Sequence, residues 1–508
     1  MKSYQRFIPL LLSVGLALLC LWAVQPDAIR SAPGTLFVSP SGSGTACTQV
    51  QPCTLATALA QATAGDTIYL AAGTYTGAGE AIATITQSLT LHGGWDGAAS
   101  GPVGRDPALY PTTLDGEGAR RGLYASGDIT VTLAGFTVTN GTALDVGAGL
   151  YAQNAHLTLR EMTFDSNVIS TTATGDPYGG GAAVEGGTLL VEACTFRANS
   201  VWAEQGPAGG GLAISATLAA TVLDSLFQDN DAWIAGGLSF IGTGRTPVPL
   251  IVRGNRFLDN GWGNSPGIAS GGYYAALEIV NADAQVLDNQ FVHNRASNGR
   301  GTVSVFYSPL TLARNLIYDN TSFYDASGLY LYFASPFTVT NNLIVDNQST
   351  YYWTKHQAVH VRGSNGQMRH NTIARNDNTY GVLSDRGAIV TLTNTILVSH
   401  TVGISVTAGS TVTLEATLWG TGEWANGSDW GGAGSIVTGS VNVWGLPGFV
   451  HPDGGDYHLS SGSRAIDRGV DAGVTDDVDG DPRPYGANYD IGADELTVWR
   501  LYLPLVLR

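Results

Sequence analysis

A repeat of about thirty residues runs through the middle of the chain and limits the folds open to it more than any other feature. Each copy contains a short alternating apolar stretch, four or five further residues, an apolar residue and, three positions later, an asparagine. Copies of this pattern end at Asn167, Asn199, Asn230, Asn260, Asn294, Asn320, Asn347 and Asn376, which stand 26 to 34 residues apart. A chain built this way stacks similar units instead of enclosing one core.

Each unit also carries a second short strand after a glycine-rich stretch, as at 179–181 and 209–211. No helical periodicity separates the strands, which argues against alternating strands and helices. Glycine supplies 67 of 508 residues and charged residues only 13%, against a usual charged share of about 25%. The pattern therefore predicts an all-β chain of parallel strands stacked coil on coil, about a dozen coils long.

The repeat resembles the right-handed parallel β-helix of the pectin-lyase-like superfamily, over residues 35–450. The entry segments 37–42, 52–55 and 65–75 also look like the start of many bacterial surface β-helices. Between them, residues 54–62 read as a short helix whose apolar residues share one face, so it would cap the N-terminal end of the core. The resemblance implies a single-stranded right-handed solenoid with an N-terminal helical cap and a C-terminal capping module.

Asparagines also recur two residues before the core apolar position and so share its side of the strand: Asn255, Asn289, Asn315, Asn342 and Asn371. Met162 and Cys194 hold this position in earlier coils, which favours an interior location. Stacked side-chain amides donate and accept along the solenoid axis. We expect an inward, structural asparagine ladder.

Both ends of the chain carry signals of export. Residues 1–25 have a basic start and an apolar run from Phe7 to Val24, as in a signal peptide or an N-terminal anchor. In an exported chain, Cys47 and Cys53 suggest a local disulfide, and Cys194 a buried free thiol. Residues 451–496 resemble a choice-of-anchor Q domain through 457–469, 479–484 and 490–495, although Arg464 and Arg468 depart from it. An apolar tail, 497–508, follows, and the expected location is secreted or at a bacterial cell surface.

The formal net charge of −17 excludes nucleic acid as an expected partner, because basic faces are needed to neutralise phosphates. A polysaccharide or a cell-envelope glycan is the partner that we expect, and we expect the chain to be a monomer. No cofactor is certain. Ca²⁺ is the candidate, on a line of carboxylates that precede the closing asparagines: Asp229, Asp259, Asp319 and Asp346. Because His293 and Arg375 interrupt this line, a turn-forming role is favoured. Asp477, Asp479 and Asp481 give a weaker metal pattern.

Aromatic residues concentrate between Trp262 and Trp353, and strand alternation sends several of them outward. The residues expected on one outer face are Phe306, Tyr330, Tyr332, His360, Arg362 and Asp385. Aromatic rings beside polar and charged groups suit a sugar, which stacks through its C–H face and hydrogen-bonds through its hydroxyls. Ordinary outward aromatics of a sheet are the alternative.

A polysaccharide lyase acting on an acidic polymer is the alternative function that the superfamily resemblance implies. Its weak catalytic candidates are Lys355, His360 and Arg362, within a basic stretch that also holds His356, Arg369 and His370. A cationic pocket would stabilise the anion formed when a proton is removed next to a carboxylate. The sequence motifs of polygalacturonase-type hydrolases are missing. We therefore favour a structural or carbohydrate-binding protein and leave enzymatic activity open.

Overall fold

Parallel strands dominate the structure, a computed structural model that describes residues 33–170, 177–202, 208–244, 246–261, 276–296, 300–323, 325–349, 356–376 and 379–497. The N-terminal leader, Lys355 and all of the apolar tail beyond Thr497 lie outside the described residues. Within the described ranges, no helix is long and apolar enough to cross a membrane.

One strand of each coil belongs to a parallel sheet, called sheet 1 here, with thirteen strands among the described residues. Its inward side chains, such as Leu277, Ile279, Leu329 and Leu331, are fully buried, and the alternate residues point outward. The strands of sheet 1 are Ala81–Ile85, Arg121–Ser126, Leu150–Gln153, Ala182–Glu185, Leu212–Ser215, Leu238–Ile241, Leu277–Val280, Val303–Phe306, Ala326–Tyr332, Gln357–Arg362, Tyr380–Asp385, Val402–Val406 and Ser428–Gly431.

The rest of each coil forms the two arms of a second sheet, sheet 2, with 27 strands in the described part of the chain. The first arm consists of Thr35–Val38, Asp66–Ala71, Leu89–Trp95, Thr130–Ala134, His156–Arg160, Thr188–Glu192, Ala219–Leu223, Val248–Arg253, Ala282–Leu287, Leu310–Ala313, Phe337–Thr340, Asn365–Arg369 and Ser435–Thr438. The second arm consists of Gly73–Tyr75, Thr112–Asp115, Thr137–Thr139, Thr163–Asp165, Thr195–Arg197, Leu226–Gln228, Arg256–Leu258, Gln290–Val292, Leu316–Tyr318, Leu343–Val345, Thr372–Ala374 and Asn442–Gly445. Ile389–Val398 and Thr411–Gly420 span both arms. Short parallel pairings join Thr142–Ala143, Val168–Ser170 and Ser200–Trp202, and likewise Arg295–Ala296, Thr321–Ser322 and Gln348–Ser349.

Two asparagine ladders run along the solenoid axis. In the predicted ladder, the Asn255 amide donates to Asn289 Oδ1 at 3.0 Å, and Asn289 donates in turn to Asn315. The closing asparagines form a second ladder from Asn167 to Asn376, which the sequence analysis did not predict. Because each amide is satisfied by its neighbours, these buried polar side chains stabilise the stack without water. The interior position of Met162 and Cys194 is confirmed.

The N-terminal cap forms as predicted. Its helix is Leu55–Gln61, and the Thr54 hydroxyl accepts a hydrogen bond from the Thr57 amide at its start. Leu55 and Ala58 are buried against the first coils. The disulfide between Cys47 and Cys53 is present, and Cys194 is a buried free thiol.

The residues that follow the last coil fold back along the flank of the solenoid. An antiparallel pair, Phe449–His451 and Asp456–Leu459, begins this segment, and 3₁₀ turns lie at Gly422–Trp424 and Pro452–Gly454. Its apolar residues pack on outward residues of sheet 2, including Leu343, Val345, Ile396 and Leu418. Polar contacts tie the same surfaces together, for example the Ala493 amide to Thr372 Oγ1 at 3.1 Å. The capping expected of this module is thus made on the flank of the later coils.

Candidate functional site

The register of sheet 1 brings the predicted outward residues together. Phe306, Tyr332, Arg362 and Asp385 occupy the same position in four successive strands. Tyr330 and His360 occupy the neighbouring outward position, next to Ser304 of the preceding strand. The predicted arrangement of the six side chains on one face is therefore what the structure shows, since parallel strands place equivalent residues side by side.

Burial corrects one part of that expectation. Tyr330, His360 and Phe306 point away from the core, but their exposed fractions are only 1%, 2% and 6%. Their rings therefore do not offer open stacking surfaces to a sugar, as the sequence analysis expected. Tyr332, Arg362 and Asp385 are partly exposed. We call these three residues the sheet-1 row, and Phe306, Tyr330 and His360 form a buried layer beside it.

Charged groups converge at this point of the sheet. His360 Nε2 lies 3.3 Å from Asp385 Oδ1, and His360 Nδ1 lies 3.8 Å from Asp325 Oδ1. Arg362 Nε is 3.7 Å from the same Asp385 oxygen, and the ring of Tyr330 meets that of His360 edge-on at 5.2 Å. Burial, followed by the negative charge of Asp325, raises the pKa of Tyr330.

Several of these buried atoms lack hydrogen bonds. Among the described residues, both ring nitrogens of His360, Arg362 Nε, Asp385 Oδ1 and Ser304 Oγ have no partner with acceptable geometry. Native proteins satisfy most buried polar atoms, so a cluster of exceptions needs an explanation. Such clusters mark sites where a ligand or a reacting group completes the hydrogen bonding.

Glu278, which the sequence analysis missed, lies on the same face. It precedes Ser304 and Tyr330 in their outward row, and the Ser239 hydroxyl donates to its carboxylate at 2.8 Å. Burial raises the pKa of Glu278 to about 7, although the Ser239 hydrogen bond and the charge of Arg300 oppose the rise. The same alternation that identified Tyr330 would have identified Glu278. Asp325 was missed because it precedes the strand core at a corner with positive φ.

The basic stretch proposed for a lyase does not form a single cluster. Lys355 lies outside the described residues, whereas His360 and Arg362 are on sheet 1. His370 instead occupies a corner of sheet 2, where its Nε2 accepts a hydrogen bond from the Asn394 amide at 2.8 Å. Burial and the charge of Arg483 lower the pKa of His370 to about 2, so it is a neutral structural residue.

Two acidic groups considered for metal binding have structural partners. The carboxylate line stands at coil corners with positive φ, and His293 lies 3.1 Å from Asp319 while Arg375 lies 3.3 Å from Asp346. Asp477 accepts backbone hydrogen bonds from Asp479, Asp481 and Glu495.

His458, Asp479 and Asp494 lie close enough together to suggest a metal site, but the histidine nitrogens are engaged. Nδ1 is 2.6 Å from Asp456 and Nε2 is 2.7 Å from Asp479. Burial lowers the pKa of His458, but Asp479, Asp494 and Asp456 outweigh it and raise the value to about 9. A protonated imidazole that donates from both nitrogens has no lone pair for a metal.

Two protein families match parts of this chain. A family described as "Right handed beta helix region" matches residues 268–418, and a "Protein of unknown function (DUF1565)" family matches residues 41–206. No curated protein matches the chain. With the stacked parallel sheets, the first match makes this an all-β protein of the right-handed parallel β-helix class.

Solved structures similar to the chain include three β-helix enzymes with low sequence identity. Pectate lyase Pel9A is 14% identical with a TM-score of 0.27, over 92% of this chain and 97% of that chain. The periplasmic alginate epimerase AlgG is 11% identical with a TM-score of 0.29, over 72% and 78%. The PL6 family alginate lyase AlyGC is 9% identical with a TM-score of 0.27, over 80% and 75%.

Proposed function

We propose that this protein binds a polysaccharide outside the cell through the sheet-1 row. The observation that carries the proposal is that three successive coils present an aromatic ring, a guanidinium and a carboxylate in register, Tyr332, Arg362 and Asp385, all partly exposed. The ring can stack on the C–H face of a sugar. Arg362 donates to hydroxyl or carboxylate oxygens, and Asp385 accepts from hydroxyls.

The location of this activity is proposed on separate grounds. The Cys47–Cys53 disulfide is typical of proteins that meet an oxidising environment. The resemblance of 451–496 to a choice-of-anchor domain and the leader-like residues 1–25 favour secretion or attachment to a bacterial surface. A cell-envelope glycan is then a ligand within reach.

A direct test compares polysaccharide retention of variants by affinity gel electrophoresis. Tyr332→Ala and Asp385→Asn should each weaken retention by about tenfold, equivalent to about 1.4 kcal/mol of binding free energy. Tyr124→Ala is the matched control, because Tyr124 is also an outward tyrosine of sheet 1, far along the solenoid. Unchanged retention of both row variants would remove the sheet-1 row as the binding site.

A second candidate function is β-elimination on an acidic polysaccharide, favoured by the unpartnered nitrogens of His360 beside Arg362. Neutral His360 would take the proton next to the uronate carboxylate, and Arg362 would balance the charge on that carboxylate. The electron pair left behind forms a carbon–carbon double bond, the glycosidic carbon–oxygen bond breaks, and the leaving oxygen takes a proton from solvent. The deep burial of His360 counts against this function, because substrate must reach its ring.

Ultraviolet absorbance of the unsaturated product distinguishes the two functions. An eliminase raises the absorbance on pectate, alginate or a glycosaminoglycan in the presence of Ca²⁺, and Arg362→Ala abolishes the rise while the fold survives. No rise with the wild-type protein on any of these polymers rejects elimination and leaves binding.

A further inference from the structure

The corner that follows each sheet-1 strand has a left-handed backbone conformation in successive coils. The residues at this corner are Asn154, Gly186, Ala216, Asn281, Tyr307, Phe333, Gly363 and Arg386, with φ between +48° and +75°. Glycine and asparagine adopt this conformation most readily. A bulky aromatic side chain there carries a conformational cost of the order of 1 kcal/mol.

Tyr307 and Phe333 accept this cost in two consecutive coils. They are the only Phe, Tyr or Trp residues with positive φ among the residues that the structure describes. Their rings are parallel, with an interplanar angle of 2° and centroids 6.0 Å apart, and they remain 52% and 42% exposed. Neither burial nor backbone preference therefore explains why aromatic residues occupy this corner.

The next coil leaves space for the second ring. A Cβ atom on Gly363 would come within 2.6 Å of Phe333 Cε1, so the ring lies against a position that only glycine leaves open. Tyr332 meets both rings edge-on, at 5.5 Å from Tyr307 and 4.8 Å from Phe333. We call Tyr307, Phe333 and Gly363 the corner platform. It is continuous with the sheet-1 row.

We propose that the corner platform is a carbohydrate subsite for an uncharged pyranose that presents an apolar C–H face. The negative face of an aromatic ring attracts the weakly positive C–H groups of a sugar. Two exposed rings in successive coils offer adjacent stacking positions, so a chain rather than a single sugar fits. A net charge of −17 opposes approach of a polyanion, and the platform itself contributes no charge. The proposal rests on the proposed function, because it extends the ligand of the sheet-1 row onto the corner.

The test replaces the rings with the residue that this corner holds elsewhere. Tyr307→Asn and Phe333→Asn copy Asn154 and Asn281, so the backbone strain is relieved and the unfolding midpoint should stay constant or rise. Binding of neutral β-galactan and β-glucan, measured by calorimetry, should weaken about tenfold for each variant. Polygalacturonate is the anionic comparison and should bind more weakly than the neutral polymers. Tyr485→Asn, at an exposed tyrosine of the C-terminal segment, is the control and should bind as the wild type.

The outcomes separate this proposal from the proposed function. If the asparagine variants bind normally while Tyr332→Ala and Asp385→Asn bind weakly, the platform is not a subsite and the sheet-1 row stands. If only the asparagine variants bind weakly, the platform stands and the row fails. Stronger binding of polygalacturonate than of the neutral polymers overturns the preference for an uncharged sugar. Absence of binding to every polymer overturns both proposals, and an unfolding midpoint that falls in the asparagine variants with binding intact identifies the rings as structural.

Discussion

Buried charge is treated in opposite ways in two regions of this molecule. In the C-terminal segment, the Arg483 guanidinium pairs with Glu495 at 2.9 Å and donates to the backbone oxygens of Gly492 and Ala493. On sheet 1, His360 is equally buried, yet neither ring nitrogen has a hydrogen-bond partner among the described residues. Complete pairing is what a structural charge requires. Incomplete pairing is what a site that receives a ligand would show.

The comparison also explains the acidic motif near the C-terminus. Asp490 accepts hydrogen bonds from the Asp467 and Leu496 amides, and Asp494 accepts one from the Leu459 amide. Each carboxylate therefore holds a separate loop in place around Arg483. The resemblance to a choice-of-anchor domain rests on residues whose work here is structural.

Removing Arg483 should have the largest effect. Arg483→Ala leaves Glu495 buried without its charge partner, so the free energy of unfolding should fall by about 3–5 kcal/mol. Denaturant unfolding measures this loss. Arg468→Ala, at an exposed arginine of the same segment, should change stability by less than about 0.5 kcal/mol. Equal effects of the two substitutions would contradict the structural role of Arg483.

Alkaline pH should weaken the same segment by a smaller amount. Because the folded pKa of His458 is raised to about 9, its contribution is complete below the ordinary histidine pKa of about 6.5 and is lost as pH rises through 9. The loss should reach about 3 kcal/mol at most. Asp494, with a pKa raised to about 7, loses stability at lower pH, so the interval from about 7 to 9 reports on His458.

The control for this pH dependence is His458→Gln. Thermal unfolding of the wild type should show a falling midpoint across that interval, and the variant should show a flat one. A wild-type midpoint that rises between pH 7 and 9 would contradict the arrangement of His458 between its three carboxylates.

Replacing His360 should have the smallest effect on stability. His360→Leu removes no hydrogen bond in the described structure and keeps the buried volume, so the free energy of unfolding should change by about 1 kcal/mol or less. Denaturant unfolding beside Arg483→Ala makes the comparison quantitative. A loss as large as that of Arg483→Ala would show that His360 is a structural residue and that the two regions do not differ.

Much of the fold followed from the sequence because stacking repeats the same physical requirement in every coil. The ladder of Asn255, Asn289 and Asn315 could be predicted from its position relative to the core residue. The second ladder could not, because a closing asparagine also suits a turn, and sequence alone does not say which way its amide points.

The site was predictable in direction but not in depth. Alternation placed Tyr330 and His360 outward, and they are outward, but their burial depends on neighbouring segments that a strand pattern does not describe. Tyr307 and Phe333 were missed because their significance lies in a left-handed backbone conformation. That conformation becomes visible only when the corners of successive coils are aligned in space.

The most direct test of the central claim, that the outer face of sheet 1 is a binding site, is polysaccharide retention of Asp385→Asn measured together with its unfolding midpoint. The account predicts weaker retention at an unchanged midpoint, because Asp385 Oδ1 has no hydrogen-bond partner to lose. Unchanged retention, or a midpoint that falls as retention does, would contradict it.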